Sequence, residues 1–187
     1  MGMDLNLSSV EPQLIELAKS ALVENDILKV MGYMPNTRRL VFVIDNYLEL
    51  KQRGIYEEAL FDAYIGTRTN FSRWSFDLIK YLFEKADRGK FFKSGDPLPG
   101  DGPFIIYRGI SGCGAARRIR GISWTGSMER AIWFAKRFDF EKPAVFEATV
   151  DKCLVYAYSN ERSESEFLCK IPPDLKLMKV WPKQERR

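Results

Sequence analysis

The 187 residues suffice for one domain, or one domain with a helical appendage, and at 45% hydrophobic and 13% aromatic they hold ample material for a core. There is no histidine, which excludes Ser-His-Asp and Cys-His catalysis and nearly every zinc site, so acid–base chemistry falls to carboxylates, Lys, Tyr or Cys. The net charge of +4 permits contact with nucleic acid without arguing for it, and no apolar run approaches the roughly 20 residues of a bilayer span.

The opening stretch MGMDLNLSSVEPQ lacks the basic and apolar regions of a secretory signal. Cys113, Cys153 and Cys169 form an odd set with no C-x-x-C pair, expected as reduced thiols of a cytoplasmic protein, two of them on buried strands. Residues 1–95 read as a helical lobe. Val10, Leu14, Leu17, Ala21 and Leu28 recur at helical spacing, with Ser8 and Ser9 as caps and Gly32 beyond the end. A second helix runs from an Asn36 cap through Leu40, Val41, Ile44, Tyr47 and Leu48 to Gly54. A third carries Tyr56, Ala59, Leu60 and Ala63 as far as Gly66. A fourth starts near Ser72 and holds Trp74, Leu78, Ile79, Leu82 and Phe83 before Gly89. Such apolar stripes are the expected core of a helix bundle.

Residues 95–103, Gly-Asp-Pro-Leu-Pro-Gly-Asp-Gly-Pro, are a turn segment that no helix or central strand crosses. Beyond them the pattern is strand-like. Strands are predicted at 104–108, 118–124, 144–150, 154–158, 166–171 and 177–181, with one helix, capped by Ser127, running through Ala131, Phe134 and Ala135 to Phe138. The expected class is α+β: a helical lobe at 1–95, then a mostly β core at 96–187.

Three segments of the β half carry chemistry. Arg108 followed by Gly109, at the end of the first strand, sets a cationic fork beside backbone that a ligand can approach, which suits a phosphate and a flat amide such as nicotinamide. A surface arginine before a turn glycine explains that pair equally well. In Ser123-Trp124-Thr125 two hydroxyls flank an aromatic able to stack on a planar ring; a core Trp before a capped helix is the plainer account. Glu164 and Glu166 lie two apart before an apolar run, so extended backbone would put both on one face, although an acidic loop edge fits too.

In this order the three segments resemble the ADP-ribosyltransferase family, in its R-S-E branch of clostridial-type toxins and arginine-specific transferases. The likeness covers roughly residues 104–182 and rests on Arg108, Ser123-Trp124-Thr125 and Glu164-Ser165-Glu166. It implies a split β-sheet core and NAD as co-substrate. It also implies Glu166 facing the ribose, Ser123 orienting Glu166, and Glu164 serving the acceptor. Arg108 would clamp the pyrophosphate, Gly109 read the nicotinamide amide, and Trp124 or a neighbouring aromatic stack on it, with Thr125 as a partial third hydroxyl. The target loop would include Tyr156, Tyr158 and Arg162. Trp in the middle of the serine motif departs from the pattern, and so does the short basic stretch with Arg117, Arg118 and Arg120. The missing histidine excludes the His-Tyr-Glu branch. The acceptor is expected to be a macromolecule, either protein arginine or RNA/DNA, with the chain as toxin of a toxin–antitoxin or phage-defence pair, countered by an antitoxin protein. The alternative is a non-catalytic partner-binding protein on a degenerate transferase fold.

Overall fold

In the computed structural model, which describes residues 4–67, 74–114 and 117–182, backbone breaks divide the long predicted helices into shorter ones. The contacts separate an N-terminal unit, Met1–Ser94, from a C-terminal unit, Gly95–Arg187.

The first predicted helix is two, α1 (Ile15–Val23) and α2 (Ile27–Gly32). Asn25 takes a positive φ of 54° between them, and the Asp26 carboxylate caps α2 by accepting from the Lys29 backbone N–H at 3.0 Å. The interruption resets the helical register. Ala18, Ala21, Val30 and Met31 are buried, while Leu17 and Leu28 of the predicted stripe face solvent. The second helix is likewise two, α3 (Asn36–Asp45) and α4 (Tyr47–Arg53). Asn46 breaks it: its amide donates to the Phe42 and Asn6 carbonyls and its carbonyl oxygen accepts from Asn6 N–H at 2.6 Å. A buried Asn competing for backbone partners is a local alternative to the helical ladder. Gly54, in the left-handed region at φ 73°, ends α4.

α5 (Tyr56–Gly66) follows the prediction. Its Tyr56 hydroxyl donates to the Leu82 carbonyl at 2.8 Å, and burial pushes the Tyr56 pKa upward. The fourth helix, α6 (Phe76–Glu84), is capped by Ser75, whose hydroxyl accepts from Leu78 N–H at 3.1 Å; the predicted start at Ser72 lies outside the described residues. A further helix, α7 (Arg88–Lys93), runs through Gly89, the expected stop, because Asp87 caps it. No helix among the described residues is long and apolar enough to cross a membrane.

The C-terminal unit begins with a close approach. A Cβ on Gly95 would lie 2.4 Å from the Tyr158 carbonyl oxygen, and Asp96 N–H donates to that oxygen at 2.8 Å. Six antiparallel strands follow: β1 (Phe104–Ile110), β2 (Ser123–Thr125), β3 (Ala144–Val150), β4 (Val155–Ser159), β5 (Glu166–Cys169) and β6 (Met178–Trp181), in the order β4-β5-β2-β1-β3-β6. The helix after β2 is α8 (Met128–Lys136), with Ser127 as its cap. The class is therefore mixed helix and antiparallel sheet, α+β. β1 and β3 pair along seven residues, whereas β1 and β2 meet only at Tyr107 and Thr125, so the sheet narrows to one residue pair at its middle. One face buries Phe104, Ile106, Trp124, Ala148, Val150 and Phe167; α8 covers the other through Ala131 and Ala135.

Candidate active site

β2 and β5 build the centre of the site. Thr125 opposes Glu166 and Ser123 opposes Leu168, so strand alternation puts Ser123, Thr125 and Glu166 on the α8 face and Trp124 and Phe167 on the other. The diagonal between Ser123 and Glu166 is short enough for a hydrogen bond: the Ser123 hydroxyl donates to Glu166 Oε1 at 2.5 Å. Both residues are half-buried. The expected orientation of Glu166 by Ser123 thus has a geometric counterpart.

Glu164 does not share a strand face with Glu166. Glu164 sits at φ −91°, ψ −12°, and Ser165 takes φ 45°, so the backbone between the two carboxylates is a turn and the two-residue rule for extended chain does not apply. Glu164 is fixed through its main chain. The Thr125 hydroxyl donates to the Glu164 carbonyl at 2.6 Å, and Gly126 N–H donates to the Ser165 carbonyl at 2.9 Å. Thr125 is buried, and its oxygen also accepts from Ser127 N–H at 3.1 Å. It latches the glutamate turn to β2 and is not positioned as a co-substrate contact.

Arg108 reaches the same strands from behind. Alternation puts its stem on the Ile106 side of β1, and the guanidinium donates to the Ser123 carbonyl and, through Nε, to the Arg118 carbonyl at 3.0 Å. It bridges the gap where β1 and β2 have stopped pairing, satisfying a carbonyl the ladder leaves over. Gly121 makes room for it, since a Cβ there would lie 2.3 Å from Arg108 Nη2. Sequence reasoning missed Gly121, and nothing in the local pattern marks it.

Two predicted co-substrate residues belong to the packing. β1 continues past Arg108 to Ile110, and Gly109 is covered by α8: a Cβ would lie 1.8 Å from the Ala131 carbonyl oxygen. The glycine serves helix–sheet approach, not approach by a ligand. Trp124 is 2% exposed, packs in the apolar core and donates from Nε1 to the Gly121 carbonyl at 2.8 Å, so its ring cannot stack on nicotinamide from there. Tyr158 is also buried against Phe167, with ring centroids 4.8 Å apart, which assigns it to packing. Burial pushes the Cys169 thiol pKa well up, leaving it a poor nucleophile.

The basic stretch is structural as well. Arg117 donates to the Gly112 and Lys142 carbonyls, and Arg120 donates to those of Pro172 and Leu175. These bonds to main-chain oxygens stand where the strand predicted at 118–124 was to begin; only Ser123 and Trp124 of it lie in β2.

α8 supplies a wall that the sequence reading did not single out. Ala131 and Ala135 face the sheet, Val180 and Trp181 of β6 pack against the same cluster, and Lys136 lies over Trp181, so that flank looks toward β6. Helical geometry then turns Arg130, Phe134 and Arg137, at i, i+4 and i+7, to the flank above β2 and β5. The electrostatics agree: burial pulls the Arg137 pKa down, and the charge of Glu164 pushes it back up. The signal that could have found this wall is the Arg-x-x-x-Phe-x-x-Arg spacing itself. A separate shallow depression of about 510 Å³ opens at the strand ends, lined by Pro99, Pro103, Phe104, Ile105, Gly126, Ser127, Tyr158, Ser165 and Phe167; Arg108, Ser123 and Glu166 do not line it.

No family model matches the chain, and no curated protein or solved structure matches it at a significant level.

Proposed function

We propose that the C-terminal unit is a mono-ADP-ribosyltransferase that takes NAD as co-substrate and transfers ADP-ribose to a macromolecular acceptor, protein arginine or nucleic acid, as a toxin restrained by an antitoxin. The strand order β4-β5-β2-β1-β3-β6, narrowed to one residue pair between β1 and β2, is compatible with a split transferase core. The observation that carries the reading is the hydrogen bond from Ser123 to Glu166 across two neighbouring strands, with Arg108 bound to the Ser123 main chain.

Breaking the bond between nicotinamide and ribose builds positive charge on the sugar, as in glycoside hydrolysis. A carboxylate held in place before the charge develops stabilises that state most, because it pays no reorganisation during reaction. Glu166 has this role, with its carboxylate toward the ribose and its orientation set by the Ser123 hydroxyl. Arg108 ties β2 in place through the Ser123 carbonyl. Glu164 takes the acceptor's proton. Ser123 and Glu166 share the face on which the ribose would lie, whereas Arg108, Gly109 and Trp124 do not join them there, so the pyrophosphate and the nicotinamide ring need other partners.

That mismatch favours a second reading, a non-catalytic binding module on a degenerate transferase fold. One experiment separates the two. Wild-type protein incubated with labelled NAD and lysate is expected to release nicotinamide and label a macromolecule, and Glu166→Gln is expected to stop both. Neither release nor label from wild type would favour the binding module. In cells, expression of the wild type is expected to slow growth and Glu166→Gln to relieve it; equal growth would count against a toxin.

A further inference from the structure

The shallow depression of about 510 Å³ at the strand ends borders the glutamate turn directly. Its floor is three packed rings: the Phe167 centroid lies 5.3 Å from that of Phe104 and 4.8 Å from that of Tyr158. Pro99, Pro103 and Ile105, the last 54% exposed, form the rim, and none of the residues lining it is charged. One wall is the turn between the two acids. Ser165 lines the depression, and its carbonyl accepts from Gly126 N–H at 2.9 Å. A Cβ on Gly126 would lie 3.5 Å from Ser165 Cβ and 3.3 Å from Phe167 Cε2. A molecule seated here would touch the residue that joins Glu164 to Glu166.

From this contact we infer that the depression is a subsite for a protein acceptor, seating an apolar side chain one to three positions from the arginine to be modified. The inference rests on the transferase reading and names the acceptor class of that same site. Lining and charge select the occupant together. Rings, prolines and an isoleucine hold an apolar group better than a sugar or a phosphate. The segments that build the depression, 95–105, 125–127 and 158–167, carry Asp96, Asp101, Glu161, Glu164 and Glu166 against Arg162 alone, in a chain of net charge +4. Lys152, with Nζ 3.8 Å from Asp101 Oδ1, offsets one of these acids. An acidic surrounding draws a basic peptide and repels a phosphate backbone. Ser165 and Glu164 are adjacent, and an extended peptide rises about 3.3 Å per residue, so peptide residues within a few places of each other span the depression and the turn.

In the transfer a guanidinium nitrogen of the target attacks the ribose C1′. The bond from C1′ to nicotinamide breaks with its electron pair leaving on nicotinamide, which departs neutral. The attacking nitrogen's proton passes to the Glu164 carboxylate and from there to solvent.

The test gives the full chain labelled NAD with a peptide holding one arginine and leucines at the three positions on either side, the same peptide with serine for every leucine, single-stranded DNA or single-stranded RNA. Nicotinamide release is followed in each mixture. Label per nicotinamide released is expected to be at least about tenfold higher on the leucine peptide than on the serine peptide, because a methylene lost from an apolar pocket costs about that factor. Both oligonucleotides are expected to stay blank. Ile105→Ala and Pro99→Ala are each expected to lower the leucine-peptide label toward that of the serine peptide. Both side chains are exposed at the rim, so the variants should melt like the wild type. Equal label on the two peptides, or a leucine preference that both variants keep, overturns the subsite and leaves the transferase standing. Release without label on the leucine peptide also overturns the inference, and label on an oligonucleotide would then assign the acceptor to nucleic acid. No release from any mixture overturns the inference and the transferase together.

Discussion

Carboxylates removed from bulk water are held differently in the two units. In the N-terminal unit Glu57, 4% exposed, accepts from Lys51 Nζ at 2.9 Å and from the Asp87 backbone N–H at 2.8 Å, and Glu49 accepts from Arg53 Nε at 3.1 Å. In the C-terminal unit Glu166 accepts from the hydroxyl of Ser123. An ammonium and a backbone N–H hold Glu57 as part of the fold; a hydroxyl donor on the neighbouring strand fixes the direction of the Glu166 carboxylate. The first arrangement supports a fold. The second suits a site where the direction of a carboxylate matters to a reacting group.

Substitutions at the two kinds of carboxylate should therefore affect different measurements. Glu166→Gln keeps shape and removes charge, so nicotinamide release should fall by about a hundredfold or more while the melting temperature stays near that of wild type. A variant that loses stability and keeps activity would place Glu166 with the structural acids. Glu57→Ala should do the reverse. It strands the Asp87 N–H and a partly exposed Lys51, and denaturant unfolding should show a loss of about 1–3 kcal/mol, nearer the low end because Lys51 keeps some solvent. Activity per folded molecule should be unchanged. Ser123→Ala leaves the Glu166 charge and removes its orientation, and about a tenfold loss of nicotinamide release is expected; full activity would detach the hydroxyl from the mechanism.

The smallest effect concerns pH. The Lys90 backbone N–H, then that of Gly89 with the charges of Lys90 and Lys51, holds the Asp87 carboxyl below its ordinary value of 3.8. A depressed carboxylate stabilises the fold above its unfolded pKa, and the contribution disappears as pH falls through the folded one. The difference in melting temperature between wild type and Asp87→Ala should be full at neutral pH and shrink below the ordinary value. A difference that stays constant into acid would assign the cap no charge component.

Much of the helix–strand layout was legible, for local reasons. Ser127 is followed by a helix and caps it, 144–150 forms the predicted strand, and the Gly/Pro run from 95 to 103 marks the change of regime. The errors have physical causes too. Apolar periodicity ran through Asn25 and Asn46, because it does not register a left-handed residue or a side chain that takes backbone hydrogen bonds. At the site, pairing Glu164 with Glu166 assumed extended chain, which the positive φ of Ser165 breaks. Phe134 was placed on the helix with no side assigned, because helical spacing says which residues share a side and not which side is covered.

Sequence alone determined the chemistry available: no histidine, then Arg108 before a glycine, a serine motif and two acids in that order. It determined the local stops and caps as well, since these depend on neighbours within a few residues. Only the tertiary structure decided who meets whom. Strand register joined Ser123 to Glu166, α8 closed over Gly109, and Trp124 turned into the core. Those outcomes depend on pairing and burial between segments tens of residues apart, and no local pattern encodes the side of a strand or helix that will find a partner.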